Sequence, residues 1–284
     1  MTHDPDEAEF VESGTFRVDR SRAIRKLKSF GFAEELSPLS LWVRCANASG
    51  AGEVRLRQQT CWCEARFDGR PFTSNELHDP FSALLEDGEP RLKHFAQGLL
   101  LALREKPKAV VLRSGSGAER ISLRARPLGD EVELEVSPAE PSDETDTSVQ
   151  VEWTVWDKDE SREIQIPKER CFHLFAMSRA SVALQRDLIV DPSEDPPGDL
   201  RVEEEGFRAV LYRSGTPDVP SGHVAFYSYG ALVCVSRVMA GRGCCARLDD
   251  PGLKLNASLS GVARDERYAL VLEILREKAK ALTA

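Results

Sequence analysis

The stretch from Ser40 to Asp79, SLWVRCANASGAGEVRLRQQTCWCEARFDGRPFTSNELHD, constrains the fold more than any other part of the chain. Apolar residues at helical spacing follow Pro38 and stop before Gly50 and Gly52, which predicts a buried helix. The segments EVRLRQQ and CWCEARF alternate between apolar and polar residues and predict two paired strands. An Asp-Gly turn then leads to Thr73, which predicts the N-terminal cap of a further helix through SNELHDPFSALLED.

Further elements follow the same logic on both sides of this stretch. FRVDRSRAIRKLKSFGFAEEL predicts a helix before it, and RLKHFAQGLLLALREK predicts one continuous core helix after it. Strands are predicted in KAVVLRSG, RISLRARPL, EVELEVS and SVQVEWTVW. The segment 137–148 is acidic and rich in Pro and Ser, which predicts a flexible surface loop.

The last part of the chain predicts a second unit. CFHLFAMSRASVALQRDLIV predicts a short helix and a hairpin, and strands are predicted in FRAVLYRS, GHVAFYSYGALVCVSRV and GCCARLD. RDERYALVLEILREKAKALTA predicts an amphipathic helix with Tyr268, Leu272, Ile274 and Leu275 facing inward. With 284 residues, we expect an α+β chain with a disordered tail over 1–14, one domain over 15–166 and a smaller one over 167–284.

Composition narrows the possible partners and location. A net charge of −9 disfavours general nucleic-acid binding, because an acidic surface repels phosphate. No segment approaches the roughly 20 apolar residues of a membrane span. The start, MTHDPDEAEFVESG, has no apolar core and does not resemble a signal peptide, so we expect a cytoplasmic protein.

The seven cysteines favour thiols over a metal site. Cys61 and Cys63 share one face of a predicted strand, but Cys-x-Cys alone is not the paired pattern of a zinc site. Cys244 and Cys245 point to opposite faces of a strand and are expected to be small core residues. We therefore expect no metal. The role of Cys61 and Cys63 stays open.

The order and spacing from Phe16 to about Trp156 resemble the GHKL superfamily, the ATP-binding α/β sandwich of ninety-kilodalton heat-shock chaperones, mismatch-repair proteins, gyrase-type topoisomerases and histidine kinases. The chaperone branch is the nearest. LWVRCANASGAGEVRL, FDGRPFTSNEL and RLKHFAQGLLLAL stand where the family has its three nucleotide motifs. The resemblance implies a two-layer α/β sandwich followed by a smaller β-α-β domain.

The residues at the first motif do not suit ATP hydrolysis. The family has a Glu that polarises water and an Asn that reaches Mg²⁺; Leu41 and Cys45 stand there in one register. A second register, shifted by two residues, places Val43 and Asn47 there instead. A general base needs a titratable oxygen or nitrogen, and neither register supplies one. Asn47 is expected to be a C-terminal residue of its helix.

The second and third motifs leave three candidate cofactor contacts. Phe67 stands at the position of the adenine-binding Asp, followed by Asp68, which a one-residue shift would let face a purine. Gly69 matches the family, Pro71 replaces its second Gly, and Gly98 is what remains of the Gly-rich loop. The candidate cofactor-binding residues are therefore Asp68, Gly69 and Gly98, with no catalytic residue and no metal ligand.

The resemblance implies a heat-shock-chaperone-like protein with a degenerate ATP-binding fold. We expect it to bind or scaffold other proteins without ATP hydrolysis, as a pseudo-ATPase, with no cofactor and no membrane. The alternative is a diverged chaperone or GHKL ATPase that binds ATP or ADP with Mg²⁺ and hydrolyses ATP. A third hypothesis is a hydrolase or transferase, for which a pair such as Cys171 and His173 needs geometry to judge. Lys254 and Arg264 are conceivable phosphate ligands, with surface charge as the default.

Overall fold

The computed structural model describes residues 37–85, 88–129, 131–153, 166–194, 198–204, 206–238 and 243–283. The tail predicted over 1–14 and the helix predicted over 16–36 lie outside the described residues. Within them the chain is α+β, with two mixed sheets and few helices. No helix in these ranges is long and apolar enough to cross a membrane.

The first unit is built on an eight-stranded sheet in the order β5-β4-β3-β6-β2-β1-β7-β8. Neighbouring strands are antiparallel except for the parallel pair β1 and β7. The strands are β1 (Glu53–Gln59), β2 (Trp62–Phe67), β3 (Ala109–Gly115), β4 (Ile121–Leu128), β5 (Glu131–Pro138), β6 (Asp146–Glu152), β7 (Ser181–Leu184) and β8 (Asp187–Val190). The sheet thus extends past residue 166, where the first domain was expected to end.

Helices cover one face of this sheet. Apolar and polar side chains alternate along its strands, so one face is apolar and needs to be covered. The inward residues of β1 and β2 include Val54, Leu56 and Cys63, which are fully buried in one core with both long helices. On the other face Arg55 and Arg57 are exposed. The helices are α1 (Pro38–Ala48), α2 (Ser74–His78), α3 (Ser82–Leu85), α4 (Pro90–Arg104) and α5 (Lys168–Phe175).

One predicted helix is wrong and another is confirmed. SNELHDPFSALLED forms the two short helices α2 and α3, because Pro80 lies between them and cannot continue a helix. Thr73 caps α2 in a capping box with Glu76. RLKHFAQGLLLALREK is one continuous helix, α4, as predicted.

The acidic connection between β5 and β6 is shorter than the loop predicted over 137–148, because β5 runs to Pro138 and β6 starts at Asp146. Backbone hydrogen bonds hold it at two points: Gly117 N–H donates to the Ser142 carbonyl at 2.7 Å, and Ala139 N–H donates to the Arg120 carbonyl at 2.8 Å. Residues 139–145 are therefore tied to the β3–β4 connection.

The second unit is a five-stranded sheet in the order β12-β11-β13-β10-β9, packed against one helix. Its elements are β9 (Leu200–Glu204), β10 (Phe207–Tyr212), β11 (Val224–Ser228), β12 (Ala231–Ser236), β13 (Cys245–Asp249) and α6 (Glu266–Thr283). In the described part all five strands precede α6, so the expected β-α-β order is not observed. The inward face predicted for α6 is confirmed: Leu272 and Leu275 are buried, and Tyr268 and Ile274 pack beside them. Cys244 and Cys245 are both buried, in different clusters on opposite faces of the sheet, as predicted.

Asn47, near the C-terminal end of α1, fastens this helix to the segment that precedes β7. Its side-chain oxygen accepts the backbone N–H groups of Arg179 at 2.8 Å and Ala180 at 3.2 Å. Its amide nitrogen donates to the Val43 carbonyl and to the Ser178 hydroxyl. The helix-terminal position was predicted, but this crosslink was not.

Replacing Asn47 with Ala should lower the free energy of unfolding by about 2–3 kcal/mol, because two backbone N–H groups lose their acceptor. Urea denaturation followed by circular dichroism measures this. The matched control is Asn75→Ala on the exposed side of α2, for which we expect less than about 0.5 kcal/mol. Equal effects of the two substitutions would show that the crosslink contributes nothing.

Candidate functional site

The three residues predicted to contact a cofactor all lie next to α1 or the turn that follows it. Asp68 accepts the N–H groups of Gly52 at 2.8 Å and Glu53 at 2.9 Å, which fixes the start of β1. Gly69 lies so close to the Ser49 side chain that an added Cβ would come under 3.0 Å from it. The structure thus brings Asp68 and Gly69 together at the C-terminal end of α1.

Gly98 lies in α4, against the middle of α1. A Cβ added there would come under 3.0 Å from Nε1 of the Trp42 indole, so glycine is what allows the two helices to approach. Trp42 and Phe95 are buried in the same core cluster. Side chains therefore occupy the space between α1 and α4 beside Gly98.

The loop before α2 is packed against the start of α4. The ring of Phe72 lies 4.9 Å from that of Phe95, and the guanidinium of Arg91 lies 4.6 Å from the Phe72 centroid. The Arg91 side chain is fully buried and donates to Glu76 at 2.6 Å. Because this charge is already paired, Arg91 is not a free phosphate ligand.

Leu41 and Cys45, which stand at the first motif in one register, are both buried away from solvent. Leu41 is fully buried in a cluster with Leu101 of α4 and Leu259, which precedes α6. Cys45 is also fully buried, and burial raises the pKa of its thiol to about 12. A protonated, buried thiol is neither a base nor a ligand for Mg²⁺.

A buried polar cluster lies beside these residues, where α1 and α4 meet the second unit. Arg44 donates from Nη2 to the Leu232 carbonyl at 2.8 Å, while its Nε and Nη1 have no hydrogen-bond partner among the described residues. Burial lowers the pKa of Arg44 to about 10, and the nearby Asp249 partly opposes this. The His94 ring meets Tyr229 edge-on at 5.1 Å.

His94 is the histidine most affected by its surroundings. Burial, followed by the positive charge of Arg44, lowers its pKa to about 3, so the ring is neutral at physiological pH. Its Nε2 is buried and has no hydrogen-bond partner among the described residues. Neither Arg44 nor His94 was predicted to form such a cluster, and nothing in the local sequence indicates it.

A shallow surface pocket lies beside Asp68 on the first unit. Its lining includes Glu53, Arg55, Arg66, Asp68, Glu144 and Asp146. Arg66 pairs with both Glu144 and Asp146, and Arg55 pairs with Glu53 at 2.7 Å. The charges of this pocket are therefore largely neutralised by one another. Among the described residues there is no group of three or more His, Cys, Asp or Glu that could hold a metal ion.

A second polar network, which was not predicted, lies between α5 and the second sheet. Asp218 accepts from His173 Nδ1 at 2.8 Å and from Arg247 at 2.7 Å. Arg247 also donates to the Tyr212 hydroxyl at 2.9 Å. Cys171 is buried and its pKa is raised to about 12 by burial, so it is not the nucleophile of a Cys-His pair. The arrangement orients the imidazole, but no described hydroxyl or thiol is hydrogen-bonded to it.

The phosphate ligands considered in the second unit lie at the surface. Lys254 and Arg264 line a shallow pocket near the start of α6, together with Asp265 and Arg267. The Lys254 ammonium lies 3.9 Å from the Asp265 carboxylate.

No protein-family model matches the chain, and no curated protein sequence matches it.

Replacing Gly98 with Ala should destabilise the protein by about 1–3 kcal/mol, because the added methyl group collides with the Trp42 indole. Urea denaturation followed by circular dichroism measures the loss. Gly52→Ala is the control, since its nearest neighbour would lie at an ordinary 3.4 Å. A neutral or stabilising Gly98→Ala would contradict close packing of α1 on α4.

Proposed function

We propose that this protein is a heat-shock-chaperone-like protein of the GHKL type that binds or scaffolds other proteins without hydrolysing ATP. One observation carries the proposal: Leu41, which stands where the resemblance puts the water-polarising Glu, is fully buried against Leu101 and Leu259. Hydrolysis needs a base and a water at that position. An apolar contact supplies neither of them.

The second register supports the same conclusion. Val43 would then stand at the position of the base, and it is fully buried in the core. Asn47 would stand at the position of the Mg²⁺ ligand, but its side-chain oxygen already accepts two backbone N–H groups. Both registers therefore leave the first motif without a base.

The architecture is compatible with this proposal. The first unit has a mixed sheet with α1 and α4 on one face, as a two-layer α/β sandwich requires. The motif positions lie on α1, on the turn after β2 and on α4, and all three meet at α1. This convergence is what a nucleotide site of this type would need. Side chains occupy the space instead.

Protein binding is best supported at β8, one of the two terminal strands of the first sheet in the described chain. Leu188 on this strand is 58% exposed, and Phe172 on the adjacent α5 is 41% exposed. The pair Lys168–Asp187 joins α5 to β8. An edge strand offers unpaired backbone groups to an extended segment of another chain, so we propose that partner segments add to β8.

Two strongly apolar segments, FHLFAM and HVAFYSYGALVCV, are mostly interior. Phe175 and Met177 of FHLFAM are buried, as are Phe226 and Tyr227 of HVAFYSYGALVCV. These residues build cores and are not available to a partner in the folded state. Protein binding therefore has to use Phe172, Leu188 or other exposed positions.

Nucleotide should not stabilise the protein. We expect thermal unfolding with Mg-ATP, Mg-ADP or Mg²⁺ alone to shift the midpoint by less than about 1 °C, because a ligand that does not bind the native state adds no stability. Phosphate release by the same sample should stay at the level of the buffer. A clear shift with nucleotide but not with Mg²⁺ alone would overturn the proposal in favour of a diverged nucleotide-binding protein.

The protein should suppress aggregation of a heat-denatured model client at equimolar ratio, as measured by light scattering. Leu188→Lys should abolish most of the effect, because a charge on an edge strand opposes strand addition. The matched control is Leu270→Lys, at an exposed leucine of α6, which should leave suppression unchanged. No suppression by the unchanged protein, or equal loss in both variants, would count against binding at β8.

A further inference from the structure

The two units meet along a buried contact that we call the seam. It consists of the leucine cluster formed by Leu41, Leu101 and Leu259, the hydrogen bond from Arg44 to Leu232, and the edge-on contact of His94 with Tyr229. Leu41 and Arg44 lie on one face of α1, three residues apart, while His94 and Leu101 lie on one face of α4, seven apart. The second unit is therefore seated along the groove between α1 and α4.

The seam combines apolar packing with polar groups that are poorly satisfied. Arg44 Nε, Arg44 Nη1 and His94 Nε2 are buried and have no hydrogen-bond partner among the described residues. Each such group forgoes the hydration that it would have in an open state. Separation of the two units would hydrate all three.

Positive charge faces the His94 ring from two elements. Arg44 faces it from α1, and Lys93 lies next to it on α4. On the other sides its Nδ1 lies 3.4 Å from the neutral Gln97 side chain, and Tyr229 of the β11–β12 turn covers the ring. A proton on His94 would therefore be placed in a buried site beside other cations.

We propose that the seam is an acid-operated latch, in which protonation of His94 releases the second unit from the groove between α1 and α4. The neutral ring fits the closed seam, and the imidazolium does not. Opening gives the imidazolium access to water, which also screens it from the charge of Arg44. The latch acts at the contact between the two units and needs neither a nucleotide nor a partner.

The direction in which pH changes the stability of the closed seam follows from the pKa of His94 in the closed and open states. Its pKa is about 3 in the closed seam, and about 6.5 is ordinary for an exposed histidine. The closed state therefore has its full stability above about pH 6.5 and loses it as the pH falls towards 3, by about tenfold per pH unit. Between pH 6.5 and 4.5 the opening equilibrium should rise about 50-fold, since an exposed His94 would already be half protonated at pH 6.5.

The other titratable groups at the seam do not produce this effect. Arg44, with a pKa of about 10, and Tyr229, with a pKa raised by burial, keep their charge states between pH 4.5 and 6.5. Asp249 faces both of them, and burial raises its pKa. Because a raised carboxyl pKa favours the closed state at low pH, the titration of Asp249 opposes opening.

Hydrogen exchange of the full chain tests the latch. Amides of residues 230–232, which adjoin the Tyr229 and Leu232 contacts of the seam, report on it, and those of β3 are the internal reference. After correction for intrinsic rates, seam protection should fall about 50-fold from pH 6.5 to 4.5 while β3 stays unchanged. In His94→Gln the fall should be less than about threefold. The control is His78→Gln, at an exposed histidine of α2, which should behave like the unchanged protein.

Unchanged seam protection at pH 4.5, or an equal fall in His94→Gln and the unchanged protein, would overturn the latch. If His94→Gln does not fold, the ring itself can be followed by carbon-13 NMR in the unchanged protein. The latch requires that the ring remains neutral at pH 5 wherever the seam is protected. A ring that titrates near pH 6.5 with the seam still protected would also overturn it.

Discussion

The packing of α1 is the constraint on which the rest of the structure depends. From Pro38 to Ala46 every residue of this helix is buried, so it has no face left for solvent or for a large ligand. The sheet and α4 enclose one side through Trp42 and Gly98, and the second unit encloses the other through Arg44. A helix surrounded in this way joins two units into one body. Substitutions at Leu41 or Arg44 therefore act on both units.

Two polar side chains on α1 differ in how well their hydrogen bonds are satisfied. Asn47 is well satisfied, because its amide has four hydrogen-bond contacts to Val43, Ser178, Arg179 and Ala180. Arg44 is poorly satisfied, because one of its nitrogens is bonded and two are not. Unsatisfied buried groups lower stability but leave an interface that small changes can open. The same helix thus has a firm attachment near one end and a weaker one at its centre.

Local patterns predicted most of the elements and little of the site. Alternation gave β1 and β2, and helical spacing gave α4 and α6, because these signals depend on residues that are close in sequence. Pro80 indicates in the sequence that the helix ends between α2 and α3, although a single helix was predicted there. The joining of β7 to β1, the His173–Asp218 pair and the Arg44–His94 cluster depend on residues that are far apart in sequence. Spacing carries no information on such contacts.

Each residue of the candidate site has a structural role in this fold. Asp68 accepts two backbone N–H groups, Gly69 leaves room for the Ser49 side chain, and Gly98 leaves room for the Trp42 indole. Leu41 gains burial where a carboxylate would have needed water. Leu259, which covers Leu41, has a φ of 57°, a conformation that costs a leucine about 1–2 kcal/mol. The apolar contact between Leu259 and Leu41 must offset that strain, so burial of Leu41 contributes to the stability of the fold.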